Sequence, residues 1–162
     1  MKYGQQQSTR TGAPAVDVQT LLRREHAQLE RLFEELVTAF RAGDREESAA
    51  LWNAFDSDLE AHMALEEKLI LPEFAKVDAA EAAALAREHA AIRTSLSELG
   101  IGVDLHCTNV DAVEAFICLL KAHAKREDAL MYRWAGKNLR EGVDATIRPR
   151  LVGGVRKLLR NS

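Results

Sequence analysis

The sequence predicts an all-α protein, an up-down-up-down antiparallel four-helix bundle with a short C-terminal fifth helix. Apolar residues recur at spacings of three and four over four long segments, which short segments of turn and cap residues separate. No segment shows the alternation of apolar and polar residues typical of a half-buried strand. The 162 residues include only 3 prolines and 9 glycines, and 47% of them are hydrophobic, as in a globular protein with few turns.

A chain of this length is sufficient for one domain. The polar residues 1–14 are expected to form a flexible tail, residues 15–140 the bundle, and residues 141–162 a basic helical extension.

Helix 1 is predicted to begin at Asp17, a favourable N-cap residue, and to end near Arg41, where Gly43 supplies the C-cap. Its apolar stripe contains His26, which lies four residues after Leu22 and so faces the same side.

Helices 2 and 3 share a start signal, because Asp44 and Asp78 are each followed three residues later by a glutamate. Helix 2 is predicted to continue to Pro72, which ends or kinks it, and helix 3 to stop at Gly100.

Helix 4 is predicted to begin near Thr108 or Asn109 and to end between Gly136 and Asn138. The segment from Ile147 to Leu159 is predicted to form the fifth helix, weakened by two adjacent glycines within it.

The chain contains one internal repeat. The tetrapeptide Arg-Glu-His-Ala occurs at residues 24–27 and again at 87–90, and the pattern His-x-x-x-Glu-acid begins at His62 and again at His123. Between them these four segments contain four of the 5 histidines. The offsets between the copies are nearly equal, which predicts two helical hairpins related by an approximate twofold axis.

The repeated residues are predicted to meet in one layer of the core. In an antiparallel bundle their distances from the shared end differ by only about one helical turn. A glutamate four residues after a histidine projects from the same helical face. The residues brought together in this way are His26, His62, Glu66, His89, His123 and Glu127.

This combination of residues predicts a metal site. Two carboxylates in a hydrophobic core are costly unless positive charge accompanies them, and two metal ions supply that charge. Imidazole and carboxylate ligands suit iron, manganese or zinc, and six ligands leave coordination positions open on two metals. An iron pair suits a ligand such as O2 or NO.

The order His, HxxxE, His, HxxxE on four helices resembles the hemerythrin-like HHE cation-binding domain, over about residues 17–138. The resemblance implies a non-haem centre of two iron ions with an oxo or hydroxo bridge, in which Glu66 and Glu127 bridge the metals. It also implies that one iron is held by His26 and His62, and the other by His89 and His123.

Two positions differ from the oxygen-carrying hemerythrins. Arg93 stands four residues after His89, where those proteins have another histidine, and Asp128 competes with Glu127 for the bridging role. Because the HxxxE pattern occurs on both helices, Glu127 is the favoured ligand. The four-His, two-Glu set is closer to bacterial di-iron proteins that respond to nitric oxide and oxidative stress, including those that repair iron centres.

The expected function is therefore binding of O2, NO or peroxide-type ligands for sensing, storage, scavenging, or iron delivery and repair. A di-iron enzyme, such as a peroxidase, ferroxidase or NO-detoxifying catalyst, is the first alternative. The second is a metal-free helical interaction module, in which Arg93 pairs with Glu66 or Glu127.

Several nearby residues have two readings. Glu30, four residues after His26, is either solvated or a further ligand. Tyr132, nine residues after His123, is either a core residue or a neighbour of the metals. Glu25 and Glu88 are expected to be surface charges, with contact to a ligand histidine as the minority interpretation.

The remaining composition narrows the partners and the location. A net charge of -3 argues against nucleic-acid binding, and no run of about 18 apolar residues is present to span a membrane. The absence of an apolar signal core and the presence of only 2 cysteines predict a cytoplasmic protein. His106 and Cys107, outside the repeat, are expected on the surface.

The C-terminal segment is basic. From Ile147 onward it contains three arginines and a lysine before a final Arg160, and no acidic residue. It is expected either to cap the acidic bundle or to contact a protein partner, a second copy or an anionic surface.

Overall fold

The computed structural model describes residues 16–104, 110–139, 143 and 145–151. Its helices are α1 (Val18–Ala42), α2 (Arg45–Leu65), α3 (Leu71–Phe74), α4 (Ala79–Asp104), α5 (Val110–Ala129) and α6 (Met131–Asn138). No strand occurs within the described ranges, which confirms the predicted all-α helical bundle. The tail, His106, Cys107 and the predicted start of helix 4 lie outside those ranges.

The predicted starts of helices 1, 2 and 3 are confirmed. The side chains of Asp17, Asp44 and Asp78 each accept a hydrogen bond from the backbone amide three residues on, at 2.9–3.0 Å. Gly43 ends α1 with a φ of 73°, a left-handed conformation that glycine adopts without steric cost.

The predicted stop at Gly100 is wrong, because α4 continues to Asp104. A Cβ atom built at Gly100 would lie 3.2 Å from Cζ2 of Trp52. This glycine therefore serves the close packing of α4 against α2 and does not end the helix.

Both HxxxE segments depart from regular α-helix just after their glutamates. A π-helical turn, Glu66–Ile70, follows α2, and the amide of Leu71 donates to the carbonyl of Glu66. Pro72 lacks an N–H group and its ring blocks the carbonyl four residues earlier, so a wider turn accommodates it. The second segment breaks at Leu130, where φ is -118° and ψ is -78°.

The core consists of two apolar clusters with the histidine and glutamate layer between them. One cluster includes Leu22, Ile70, Leu85 and Met131, and the other includes Phe33, Phe55, Ile92 and Phe116. The apolar clusters on both sides shield the layer from water.

Residues 145–151 are helical, and Ile147 and Leu151 are fully buried in the first apolar cluster. The remainder of the predicted fifth helix lies outside the described residues. Within the described part of the chain, every helix is too short or too polar to cross a lipid bilayer.

Candidate metal centre

The structure brings together all six residues that the repeat singles out. Glu66, His89 and Glu127 have no exposed surface, and His62 and His123 are 5% exposed. The side chain of His26 is the most open of the six, at 17%. The six come from four helical segments, so the centre depends on the folded bundle.

The first group of donors consists of His26, His62, Glu66 and Glu127, and one ligand atom of each lies within 4.8 Å of the others. The two Nε2 atoms of His26 and His62 are 3.1 Å apart. Nε2 of His26 is 3.2 Å from Oε2 of Glu127, and Nε2 of His62 is 3.6 Å from Oε1 of Glu66.

The second group consists of Glu66, His89, His123 and Glu127, again within 4.8 Å. Nε2 of His89 lies 3.4 Å from Oε2 of Glu66 and 3.3 Å from Oε1 of Glu127. Glu66 and Glu127 belong to both groups, and their carboxylates each have two oxygens to share between two cations.

Two buried atoms support this interpretation. Oε2 of Glu66 and Nε2 of His123 have no hydrogen-bond partner among the described residues. Nε2 of His123 is only 3.0 Å from Oε1 of Glu127, but the two are not aligned as a hydrogen bond. Unsatisfied buried polar atoms are costly, and a cation between these donors would satisfy both, so the donor set fits a metal.

Three carboxylates orient the ring nitrogens. The Nδ1 groups of His62, His89 and His123 hydrogen-bond to Glu25 at 2.9 Å, Glu67 at 3.0 Å and Glu88 at 2.9 Å, respectively. With each Nδ1–H donating, the Nε2 lone pairs face the cluster, as in metal sites where a carboxylate holds the ligand histidine.

These contacts correct the expectation that Glu25 and Glu88 are surface charges. Each glutamate precedes one histidine of the cluster but binds the histidine of a neighbouring helix. The repeated Arg-Glu-His-Ala tetrapeptide was a sequence signal for both. Glu67 was overlooked, although it occupies the acidic position that closes the first copy of the His-x-x-x-Glu pattern.

Two arginines hold the orienting carboxylates. Arg93 donates to Glu67 at 2.7 and 3.1 Å and to Glu60 at 2.8 and 3.0 Å. The alternative in which Arg93 neutralises Glu66 or Glu127 is therefore wrong. Similarly, Arg126 of α5 donates to Glu88 at 2.6 Å and also binds Glu81.

The two competing ligand candidates lie outside the cluster. Asp128 is part-exposed and pairs with Arg23 at 3.0 Å. Glu30 is 57% exposed and lies 3.7 Å from Lys121. The structure thus brings Glu127, and neither of these acids, to the histidines.

Tyr132 reaches the cluster from the start of α6. Its hydroxyl lies 2.9 Å from Nε2 of His26 and 3.2 Å from Nε2 of His62. It donates to Oε1 of Glu66 and is within 3.3 Å of Oε2 of Glu127. The two histidines that it contacts, His26 and His62, both belong to the first donor group, so the two halves of the centre are not equivalent.

The histidines of the metal-free cluster attract protons. Burial alone would lower the pKa of His62, but the charge of Glu66 and the hydrogen bond to Glu25 raise it to about 9. Burial likewise opposes protonation of His89, but its bonds to Glu127 and Glu66 raise that pKa to about 10. Without metal, protons therefore supply the positive charge that balances the glutamates.

The two shared carboxylates have opposite pKa shifts. Burial and the charge of Glu127 raise the pKa of Glu66. Burial also opposes ionisation of Glu127, but its close contacts with His123, His26 and His89 hold its pKa well below the usual range. Burial, followed by the charges of both glutamates, raises the pKa of Tyr132.

A helical bundle with two His/carboxylate donor groups in its core defines a cation-binding protein of the all-α class. Residues 17–135 match the hemerythrin HHE cation binding domain, and the chain belongs to that family. No curated protein and no solved structure gave a significant match.

Proposed function

We propose that the protein holds a non-haem, carboxylate-bridged pair of iron ions and uses it to bind O2, NO or a peroxide-type ligand. The observation that carries the proposal is the sharing of Glu66 and Glu127 by two four-donor groups. His26 and His62 would complete one metal position, and His89 and His123 the other.

The donor chemistry favours iron among the candidate metals when the ligand is O2 or NO. Imidazole and carboxylate ligands suit iron, and four protein donors per metal, two of them shared, leave positions free for a small molecule. Such a pair supplies reversible ligand binding or electron transfer when bound. The role would be sensing, storage, scavenging or iron delivery and repair.

The test is iron analysis and an ultraviolet–visible spectrum of the protein after iron-replete expression. Wild type should carry two irons per chain and show an oxo-bridged iron band. The variant Glu127→Gln should lose iron, whereas its neighbour Asp128→Asn should retain it. Less than one metal per chain in the wild type, with no such band, would refute the proposal.

The position of Tyr132 favours one alternative, turnover of peroxide or NO. Its phenol hydroxyl is a hydrogen-bond donor at the centre, in contact with Glu66 and 2.9 Å from Nε2 of His26. Steady turnover that Tyr132→Phe slows and Glu66→Ala abolishes would support an enzyme. Ligand binding without turnover would support the binding function.

A further inference from the structure

A cleft of about 690 Å³ runs along the surface between α1 and α5. Apolar side chains form its floor, among them Leu29, Phe33, Phe55 and Leu59. His26 is the one residue of the donor cluster that lines it, and His26 is also the donor with the largest exposed fraction. The cleft therefore leads from the surface to one side of the centre.

The internal repeat shows that this opening is specific to one side. The approximate twofold relates α1 and α5 to α4 and α2, so the interface between α2 and α4 is the equivalent of the cleft. In that interface the residue after His62 is Met63, which is fully buried. In the cleft the residue after His123 is Ala124, which lacks the side chain needed to fill the same space.

Ion pairs also hold the interface between α2 and α4 together more tightly than they hold the cleft. Arg93 makes four hydrogen bonds, at 2.7–3.1 Å, to two glutamates of the helix opposite. Its counterpart in the cleft is Glu30, which reaches Lys121 at 3.7 Å, with both side chains more than half exposed. A loose surface pair of this kind contributes little to holding two helices together.

Near His26, one ion pair crosses the opening. Arg23 of α1 and Asp128 of α5 lie 3.0 Å apart, and both are part-exposed lining residues of the cleft. The approach to His26 is therefore bordered by two side chains and not by backbone.

We infer that the cleft is the route by which uncharged diatomic molecules reach the centre, and that they arrive on the His26 side. The apolar floor favours uncharged O2 or NO, because a molecule without charge loses little hydration when it leaves water. Tyr132 contacts the same half of the centre. This inference rests on the proposed function for the identity of the ligand.

The first experiment requires no reactive iron. Dissolved O2 is paramagnetic, so it accelerates relaxation of the methyl protons it approaches in the full-length chain loaded with diamagnetic Zn²⁺. The methyl groups of Leu29 and Leu59 should relax faster than those of Met63 and Ile92. Equal relaxation at the two interfaces would overturn the inference.

The second experiment narrows the cleft. Ala124→Met copies the residue of the closed interface, and Ala122→Met, on the exposed side of the same helix, is the control. Filling the cleft should roughly halve the O2-induced relaxation at Leu29 and Leu59. In the Fe²⁺-loaded protein it should slow NO association and dissociation together, by about fivefold, with the affinity unchanged.

Equal NO rates in the two variants would overturn the inference and leave the iron centre in place. A wild-type protein that takes up iron but never binds NO or O2 would refute the proposed function, and the relaxation pattern would still decide the route. Ala27→Leu, at an exposed lining position, provides a second narrowing variant, with Ala90→Leu at the equivalent site of the repeat as its control.

Discussion

His62 and Glu25 are joined by a hydrogen bond of 2.9 Å from Nδ1 to Oε2, although they belong to different helices. Glu25 directly precedes His26, so one dipeptide of α1 supplies a donor to the centre and the group that orients the donor of α2. The pair Glu88 and His123 repeats the arrangement at 2.9 Å. In each hairpin, the first helix therefore supplies one histidine to the centre and also orients the histidine of the second helix.

Glu25→Gln should lower metal affinity about ten- to a hundredfold, the usual effect of removing a carboxylate that orients a ligand histidine. The amide keeps the shape of the side chain but loses the charge that holds His62. Competition with a chelator measures the change. Glu35→Gln, at an exposed position of α1, is the control and should retain full affinity; an unchanged affinity in Glu25→Gln would contradict the assigned role.

Arg93→Gln should weaken metal binding less than Glu67→Gln does. Arg93 holds Glu67, which in turn binds Nδ1 of His89, so the arginine affects the metal site only through Glu67. The side chain of Arg93 is 33% exposed, so its loss should lower the free energy of unfolding by about 1 kcal/mol or less. Arg87→Gln, exposed on the same helix, serves as the control. Equal losses of metal affinity in Arg93→Gln and Arg87→Gln would show that the contact of Arg93 with Glu67 is not needed for metal binding.

Metal uptake should release protons and should strengthen as pH rises. Burial opposes protonation, yet neighbouring glutamates raise the pKa of His62 to about 9 and that of His89 to about 10 in the metal-free cluster. Metal must displace these protons. Adding Zn²⁺ to the metal-free protein in a weakly buffered solution near neutral pH should lower the pH of that solution. An unchanged pH would contradict the raised pKa values of His62 and His89.

The same pKa shifts predict the opposite pH dependence for folding of the metal-free protein. A histidine whose folded pKa exceeds its unfolded value of 6.5 stabilises the fold below that value. This stabilisation is lost as pH rises through about 9 and 10. In the presence of a chelator, the free energy of urea unfolding should therefore fall as pH rises from 6.5 to about 10. A rise in that free energy over the same pH range would refute the prediction.

The fold and the six-residue cluster were predictable because each has a periodic signal. Helical spacing placed His26 and His89 on the core stripes, and the HxxxE pattern placed each glutamate one turn from its histidine. Capping residues fixed the helix starts, since Asp44 and Asp78 each satisfy an amide in the first turn. These interactions are local, and a single sequence contains them.

The features that the sequence did not reveal depend on distant neighbours. Gly100 resembles a helix stop until Trp52 is seen against it. The π-helical turn at Glu66–Ile70 interrupts a segment whose apolar pattern is continuous. The binding of Glu67 to His89, 22 residues on, requires the packing of two helices, which periodicity along one helix does not describe.

Tyr132→Phe should destabilise the metal-free protein by about 1–3 kcal/mol, because buried Oε1 of Glu66 loses its donor. In the metal-loaded protein the cost should be smaller, since a cation binds that carboxylate. Chemical unfolding with and without Zn²⁺ measures both values. Met131→Leu, a neighbouring buried position without a polar contact, controls for packing; equal losses with and without metal would contradict the prediction.

Gly100→Ala should destabilise the bundle, although alanine favours an isolated helix over glycine by about 1 kcal/mol. The new methyl group would lie 3.2 Å from Cζ2 and 3.4 Å from Nε1 of Trp52, so the indole or α4 must shift. In a Trp52→Leu background the obstacle is removed and the same change should become stabilising. A double-mutant cycle measured by urea unfolding gives the coupling, and additive effects would show that the glycine serves some purpose other than clearance for the indole.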